Sequence, residues 1–489
     1  MKSGLGQYFL RFRSELTDRQ DGCLIRSVVP LNQVAFSSRM KDYFIRRLLL
    51  VPVTMLGVTF LVFLITRAAP GGPLEQAMMQ SQAATEGGGS GGKQGGTLDE
   101  EAIEASEERY GFDKSVVVAY LQWLGLWNRE RVVSKSEFFE RGEDTIGSAL
   151  IENPETETTV VLKGIGREVF VRREGSKVAK MYYLDNPQEE PKEYGWKARI
   201  ETPADRADRW ARREGLKAED APDYKFRVVL YQPKLSGVLQ GDFDQSEKFG
   251  DPVLTLIKQR IPVALYFGLL TAIITYAVCL PLGILKAIRH RTFLDNASSV
   301  LIFMGYSVPG FALGALMVIF LGARSGWFPM FGLDSPELAH LPWWSWDRIV
   351  DRAHHTVLPL ISYVVGSFAF LTMMMKNNLM DNLAADYIRT AVAKGVNYRR
   401  AVFKHAFRNS IIPVASTLGQ LITILVGGSI LVESVFDIQG FGLLQFQALT
   451  DRDMPVIMGT LTIAAFLLIV GNILSDFIVA LIDPRVKFN

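Results

Sequence analysis

The 489-residue sequence predicts an all-α polytopic membrane protein with six transmembrane helices, plus a small extracytoplasmic α/β insert. Three observations carry this expectation. Six runs of mostly apolar residues each reach the roughly 20 residues needed to cross a hydrocarbon core about 30 Å thick. Charged residues crowd into one interval between the first and second runs. Lys and Arg gather beside alternate run ends. Hydrophobic residues make up 48% of the chain although 21% is charged, and mean hydropathy is +0.15. That mixture implies strongly apolar and strongly polar parts in one chain.

The six runs lie near 48–66, 262–285, 299–322, 357–375, 411–432 and 456–482. The first is too long for a secretory leader and follows a polar tail of more than 40 residues, so it is read as a retained span. Pro281, Pro309 and Pro359 mark kinks or helix starts, because proline frees backbone groups that neighbours must satisfy. Arg39, Lys41, Arg46 and Arg47 precede the first span; Lys286, Arg289 and Arg291 follow the second; Arg485 and Lys487 follow the sixth. Between the fourth and fifth, residues 376–410 hold seven Lys/Arg against two Asp. Because basic residues mark the cytoplasmic side, both termini and this loop are expected there.

Residues 67–261 are then extracytoplasmic. Within them 87–96, GGGSGGKQGG, is a flexible linker by composition. It has the glycine spacing of a phosphate-binding loop, but Gln94 stands where that loop needs Ser or Thr and no strand precedes it. The interval 128–235 carries 21 basic and 21 acidic residues. TTVVLKGI, EVFVRR and KVAKMYYL alternate as short strands do, and RADRWARREGLKAED reads as a charged surface helix. The expected result is a small α/β module. The net charge of +2 points to no nucleic acid, and Cys23 and Cys279 suggest neither a disulfide framework nor a metal site.

The loop 376–410 is the most informative segment. Gly395 suits a position just past a helix end, where its access to positive φ is useful. Asn397 is a good N-cap. A short helix from about Asp386 to Lys394, a sharp corner and a second helix from Tyr398 follow. Val392, Val396, Phe403 and Phe407 are expected to form an apolar side, with Arg399, Arg400, Lys404 and Arg408 elsewhere around the axis. Such a pair could lie on anionic lipid. It could equally dock into a groove of a cytoplasmic partner, where the small Ala391, Ala393 and Gly395 permit close approach.

Other polar residues in or near the spans are candidates for the pathway: Gln420 and Thr423 on the fifth, and Asn472 and Asp476, one turn apart, on the sixth. A structural hydrogen bond is the competing reading of each. Glu433 and Asp437, near the outer mouth, could form a gate, contact an external protein or be solvated loop charges.

RTAVAKG (389–395) followed by KHAFRNSIIP (404–413) resembles the coupling-helix loop of ABC importer permeases of the oligopeptide/dipeptide type. Against the general pattern E-A-A-x3-G-x9-I-x-L-P only Ala391 and Gly395 match. Arg389 and Thr390 stand at the E-A positions, and His405, Ala406, Phe407 and Arg408 at I-x-L-P; these departures are similar to those of the peptide branch. YFIRRLLLVPVTMLGVTFLVFLITRAAPGGP (43–73), GYSVPGFALG, LVESVFDIQGFG, DRDMP and LIDPRVKF resemble the same family. YGFDKSVVVAYLQWLG (110–125) and SGVLQGDF (236–243) resemble two pieces of its outer segment that usually lie nearly adjacent. The tail 1–42, the Gly-rich linker and the module 128–235 depart from the pattern.

The resemblance implies a permease subunit of a binding-protein-dependent importer in a bacterial inner membrane. Residues 43–66 would be its first span and 262–489 its five-helix core. It implies a second, non-identical six-span permease, two cytoplasmic ATPases that hold ATP and magnesium, and an extracytoplasmic substrate-binding protein; this chain itself would bind no cofactor. Asp386, Tyr387, Arg389, Thr390, Ala391, Ala393, Lys394, Gly395, Val396, Arg399 and Arg400 would couple to the ATPase. The rival classes are a secondary transporter driven by an ion gradient and a receptor with an extracytoplasmic sensing module.

Overall fold

The computed structural model describes residues 31–68, 94–139, 153–162, 166–338, 340–418 and 430–482. Two units divide the chain between Val53 and Thr54. In the first, the described residues are 31–53, the opening of helix α1 (Leu31–Ala68). There Arg47 donates to the Tyr43 hydroxyl at 2.8 Å, one turn apart.

In the second unit the segment after α1 begins with α2 (Gln94–Tyr110) and α3 (Val116–Leu124). Arg67, at the end of α1, donates to the carbonyls of Gly111, Phe112 and Lys114 at 3.0–3.3 Å. It thereby ties the turn that ends α2 to the first helix. Gly125 closes α3 in the left-handed region, at φ +88°. It also touches Gly237 so closely that a Cβ on Gly237 would lie 2.5 Å from the Gly125 nitrogen. Only a residue without a Cβ fits there. The chain therefore leaves and re-enters this segment at one point, and the two pieces resembling a family segment are neighbours in space.

Between these glycines lie β1 (Arg129–Glu137), β2 (Glu157–Val161), β3 (Glu168–Glu174), β4 (Lys177–Tyr183), β5 (Lys197–Glu201), α4 (Pro203–Glu214) and β6 (Arg227–Lys234). They build two antiparallel three-stranded sheets, β1-β6-β5 and β2-β3-β4. Entry and exit strands pair directly, Arg129 opposite Lys234, with a bulge between Val132 and Ser134. Phe138, Leu162, Val169, Val171, Trp196, Val228 and Leu230 form the core from both sheets. α4 starts with Thr202 and Asp205 in a reciprocal capping box and Pro203 in its first turn, and stops at Gly215.

Part of the module's charge is buried against α2, although many of its charged residues remain exposed. Glu104 and Glu108 of α2 face Lys135, Arg199, Arg209 and Arg227. Arg227 bridges Glu104 at 2.7 Å and Glu201 at 2.6 Å, and all three side chains are almost wholly buried. α4 is only in part the expected surface helix: Arg206 is buried beside Glu137, and the half-buried Arg209 and Arg213 pair with Glu108 and Glu201 and with Glu100. Ions with no water around them persist only when several partners compensate their desolvation. The acidic α2 supplies those partners for a basic face of the module.

The rest of the unit is helical: α5 (Val253–Ile288), α6 (Phe293–Ser307), α7 (Gly310–Met317, extended by a π-helical 318–324) and α8 (Trp346–Ala384). Then come α9 (Asp386–Ala393), α10 (Tyr398–Arg400), a π-helical stretch Ala401–Ala406, and α11 (Phe407–Ser416). α12 (Ile430–Phe436), α13 (Phe441–Asp451) and α14 (Met454–Ile482) complete it. Among the described residues α1, α5, α8 and α14 are each long and apolar enough to cross a membrane. α6 and α7 meet that test together but bend by 87° at Pro309, so the third run is a broken helix. Half of the fifth run, residues 419–429, lies outside the described residues. Exposed Leu61 and Leu64 on α1, Leu301 and Met304 on α6, and Phe477 and Leu481 on α14 present the apolar surface that hydrocarbon accepts.

Burial alone would raise the Glu201 carboxyl, but the charges of Arg227 and Arg209 win and hold it down at about 2. A depressed carboxylate contributes stability that is complete above its ordinary value of 4.5 and disappears as pH falls from there toward about 2. Fluorescence of Trp196, in the module core, should report loosening of the full-length protein across that window. Glu201→Gln should loosen the module already at neutral pH. A signal unchanged by both treatments would remove the ion network from the account of the module's stability.

Candidate functional site

The corner between α9 and α10 is built by local chain chemistry. α9 stops because Lys394 and Gly395 turn their N–H groups back to the carbonyls of Thr390 and Val392, and Val396 bonds to Ala391 at 3.1 Å. Gly395 sits at φ +86°, a conformation that costs an L-residue about 1–2 kcal/mol. The Asn397 side chain then accepts from the Arg399 N–H at 3.1 Å and caps the next helix. Asp386, Tyr387, Arg389, Thr390, Ala393, Lys394, Gly395, Arg399 and Arg400 are exposed, while Ala391 and Val396 are half-buried. A Cβ on Gly395 would meet nothing within 4 Å.

The loop's apolar residues do not share one side, in contrast to the sequence expectation. Ile388, Ala401, Val402 and Ala406 are buried; Ile388, Ala401 and Ala406 pack with Val396 and Phe407 against Cys279, Leu371, Met375 and Leu379. Val392 and Phe403 point the other way and are exposed. The π-helical stretch 401–406 shifts the register between these faces, which a uniform 3.6-residue period does not anticipate. Consequently the corner is seated firmly on α5 and α8, and a second, mixed face is left uncovered.

Close to this seat lies a cluster that sequence reasoning did not single out. Lys286 of α5 and Lys376 of α8, counted there as bases flanking the spans, are buried with Asp295 of α6 between them. Lys376 Nζ reaches both carboxylate oxygens at 2.7 and 2.9 Å. Lys286 Nζ is 3.0 Å from Oδ1 and donates to the Asp295 carbonyl, Ser298 Oγ and Ser299 Oγ at 2.7–2.8 Å. The Arg291 N–H also donates to the carboxylate. One carboxylate thus ties three long helices together, and α8 continues within two residues into α9. A lone acid in the first turn of an apolar helix, followed by two serines, was the available signal.

Of the candidate pathway residues, Asn472 and Asp476 stand one turn apart on α14. Asn472 is exposed and Asp476 is half-buried. Between them Ser475 is buried, donating to the Ser416 carbonyl at 2.8 Å. Gln420 and Thr423 lie outside the described residues. Glu433 is 1% exposed: its carboxylate accepts from the Leu443 N–H at 2.7 Å and from the Tyr363 hydroxyl at 3.2 Å. It caps the start of α13 from inside, so in this structure it presents no charge to an outside protein. Asp437, at φ +48°, is exposed and accepts from Gln439 at 3.0 Å.

Residues 279–488, which include both the corner and the ion cluster, match the model of the binding-protein-dependent transport system inner membrane component family. The oligopeptide transport system permease protein AppB of Bacillus subtilis is 36% identical over 263 residues, 54% of this chain and 81% of that protein. The chain belongs to this family. The inner membrane ABC transporter permease protein YejB of Escherichia coli O157:H7 is 38% identical, with 53% of this chain and 71% of that protein aligned. The peptidoglycan transport system permease protein YejB of Agrobacterium fabrum is 36% identical, with 50% and 68% aligned. This permease is a multi-pass inner-membrane subunit of an ATP-driven importer, working with an ATPase and a partner permease.

Removing the charge of Asp295 would leave two buried ammonium groups without their counter-ion. Asp295→Asn should therefore lower the permease's stability in detergent by about 3 kcal/mol, read as a fall in unfolding midpoint. Adding Lys376→Met should recover part of that loss. A midpoint equal to wild type would show that the cluster does not hold the helices together.

Proposed function

We propose that this permease forms part of the passage for peptides, or related small solutes, and that the corner at Gly395 is where ATP-driven movement enters it. The names of the aligned relatives support the substrate class: one is an oligopeptide permease and another a peptidoglycan permease. The observation that carries the coupling role is the corner itself. It presents exposed side chains outward, sits rigidly on α5 and α8 inward, and turns through a left-handed glycine with open space around it. A lever needs one bound face and one face free to be gripped.

In this reading the chain has six spans with both termini and the corner in the cytoplasm. Two ATPase subunits bind ATP and magnesium, a non-identical second permease completes the passage, and an external binding protein delivers the solute. Closure of the ATPase dimer displaces α9. Lys376 and Asp295 carry the displacement to α5 and α6, since a two-state element moved by differential contact is what coupling requires. The outer module, mounted through α2 and the glycine contact, covers or guides the external mouth.

Gly395→Phe tests the coupling role. The subunit should still fold, at a cost of about 1–2 kcal/mol for the left-handed φ, because among the described residues nothing crowds the position. Peptide uptake in reconstituted vesicles should fall by more than tenfold while ATP hydrolysis loses its response to substrate. Normal import with normally regulated hydrolysis would show that the corner is not the coupling element.

A further inference from the structure

At nine residues α3, VVVAYLQWL, is too short to cross a membrane, and the sequence expectation leaves it in the extracytoplasmic segment. Its side chains contradict a purely aqueous setting. One side packs inward: Ala119, Tyr120 and Leu124 are buried with Phe63 of α1 and Met458 of α14. Gln122, its one amide, is buried too and donates to the Asn128 carbonyl at 2.8 Å. The side left uncovered is apolar. Val117 on α3, Leu126 and Trp127 just after it, and Leu235 and Leu239 across the glycine contact are each more than half exposed. A helix lying on a protein surface in water turns its polar residues outward. This one turns them in.

The contact with α1 fixes the depth. The Tyr120 hydroxyl lies 2.9 Å from Thr59 Oγ1 and donates to the Leu56 carbonyl at 3.1 Å. Its ring stands edge-on to Phe60 and Phe63, with centroids 5.1 and 5.6 Å away. Thr59 and Leu56 precede Arg67, where the apolar run of α1 ends, by about two and three turns, or about 12–16 Å along the helix. Across a hydrocarbon core about 30 Å thick, that hydroxyl is well below the surface. Trp123 lies beside Phe63, one turn nearer Arg67, so the axis of α3 is closer to the headgroups than the hydroxyl is. Phe60, which touches Tyr120, is partly exposed, as are Leu61, Leu64 and Ile65 around it. The uncovered side of α3 thus continues the apolar surface of α1.

We propose that α3 and the glycine joint are sunk into the lipid leaflet that α1 reaches at Arg67, with acyl chains covering Val117, Leu126 and Leu239 and with Trp127 at the headgroup boundary. On the proposed topology this is the outer leaflet. The inference needs α1 to be a span and is independent of the coupling role of the corner. Tryptophan suits the boundary, because its ring is apolar and its N–H can reach water. The chain turns polar immediately on the module side, at exposed Asn128 after Trp127 and at exposed Lys234 before Leu235. The stalk of the module therefore leaves the membrane between these residues, and lipid holds the module's height as α2 holds its orientation.

The test uses the assembled transporter in nanodiscs, with a bimane label on Val117→Cys or Leu126→Cys in a permease whose Cys23 and Cys279 are changed to Ala. A label on Lys180→Cys, exposed on β4, is the reference for water. Phosphatidylcholine brominated on its acyl chains should quench the labels at 117 and 126 about threefold more than the label at 180. Iodide in the buffer should show the reverse order. Both positions are uncovered, so assembly and an unchanged unfolding midpoint will show that the variants fold. Independently, Trp127→Phe should remove part of the quenching of the protein's own fluorescence by the same lipid. If iodide quenches the labels at 117 and 126 as strongly as at 180, and brominated lipid does not quench them, α3 lies in water and the proposal is overturned. If neither agent reaches them and Val117→Cys crosslinks to the partner permease, a protein covers this side instead of lipid, and the proposal falls equally.

Discussion

A single carboxylate organises the end of the helical bundle on which the corner sits. Asp295 is surrounded by the ammonium groups of Lys286 and Lys376, the Arg291 N–H and the polar first turns of α6. Separating any one of α5, α6 and α8 from the others would strand a charge in an apolar interior, at a cost several times that of losing a surface ion pair. These helices therefore move together or not at all. Ile388, Ala401 and Ala406 seat the corner on two of the three, α5 and α8. Rigidity inward and exposure outward are thus consequences of one arrangement.

The same physics governs the outer insert on the opposite charge balance. Glu104 and Glu108 are carried by α2, which Arg67 anchors to α1 through backbone carbonyls, whereas most of the arginines facing them belong to the module. More than a hundred residues are strung between two touching glycines, and β1 pairs with β6 along the whole stalk. An insertion of this kind disturbs little of its host, because its two ends already adjoin. Its position is then set by the ion network rather than by the covalent linkage alone. This makes the module a fixed part of the segment that follows α1.

Some features were legible directly from residue order. Hydropathy located the long helices because a bilayer demands a run of apolar residues whatever the tertiary context. The turn at Gly395 and Asn397 was legible for a similar reason: a left-handed position and an N-cap depend on a few adjacent dihedrals. The strands around Val160, Val169 and Met181 alternate visibly. By contrast, the outward direction of Phe403 depends on a π-helical stretch, the inward turn of Glu433 on the arrival of α13, and the burial of Arg227 on an acidic helix far earlier in the chain. Asp295 and Lys376 are separated by 81 positions, and nothing local marks them as a pair.

The sequence by itself determined which segments are apolar enough for lipid, how the chain turns at Gly395 and Asn397, and that a basic corner separates two apolar runs, since these follow from capping and hydropathy acting within a few turns. Only the tertiary structure decided which charges are buried and which are offered. A charge is stable inside a protein only beside its counter-charge, and the meeting of distant helices that creates such a pair is a property of packing.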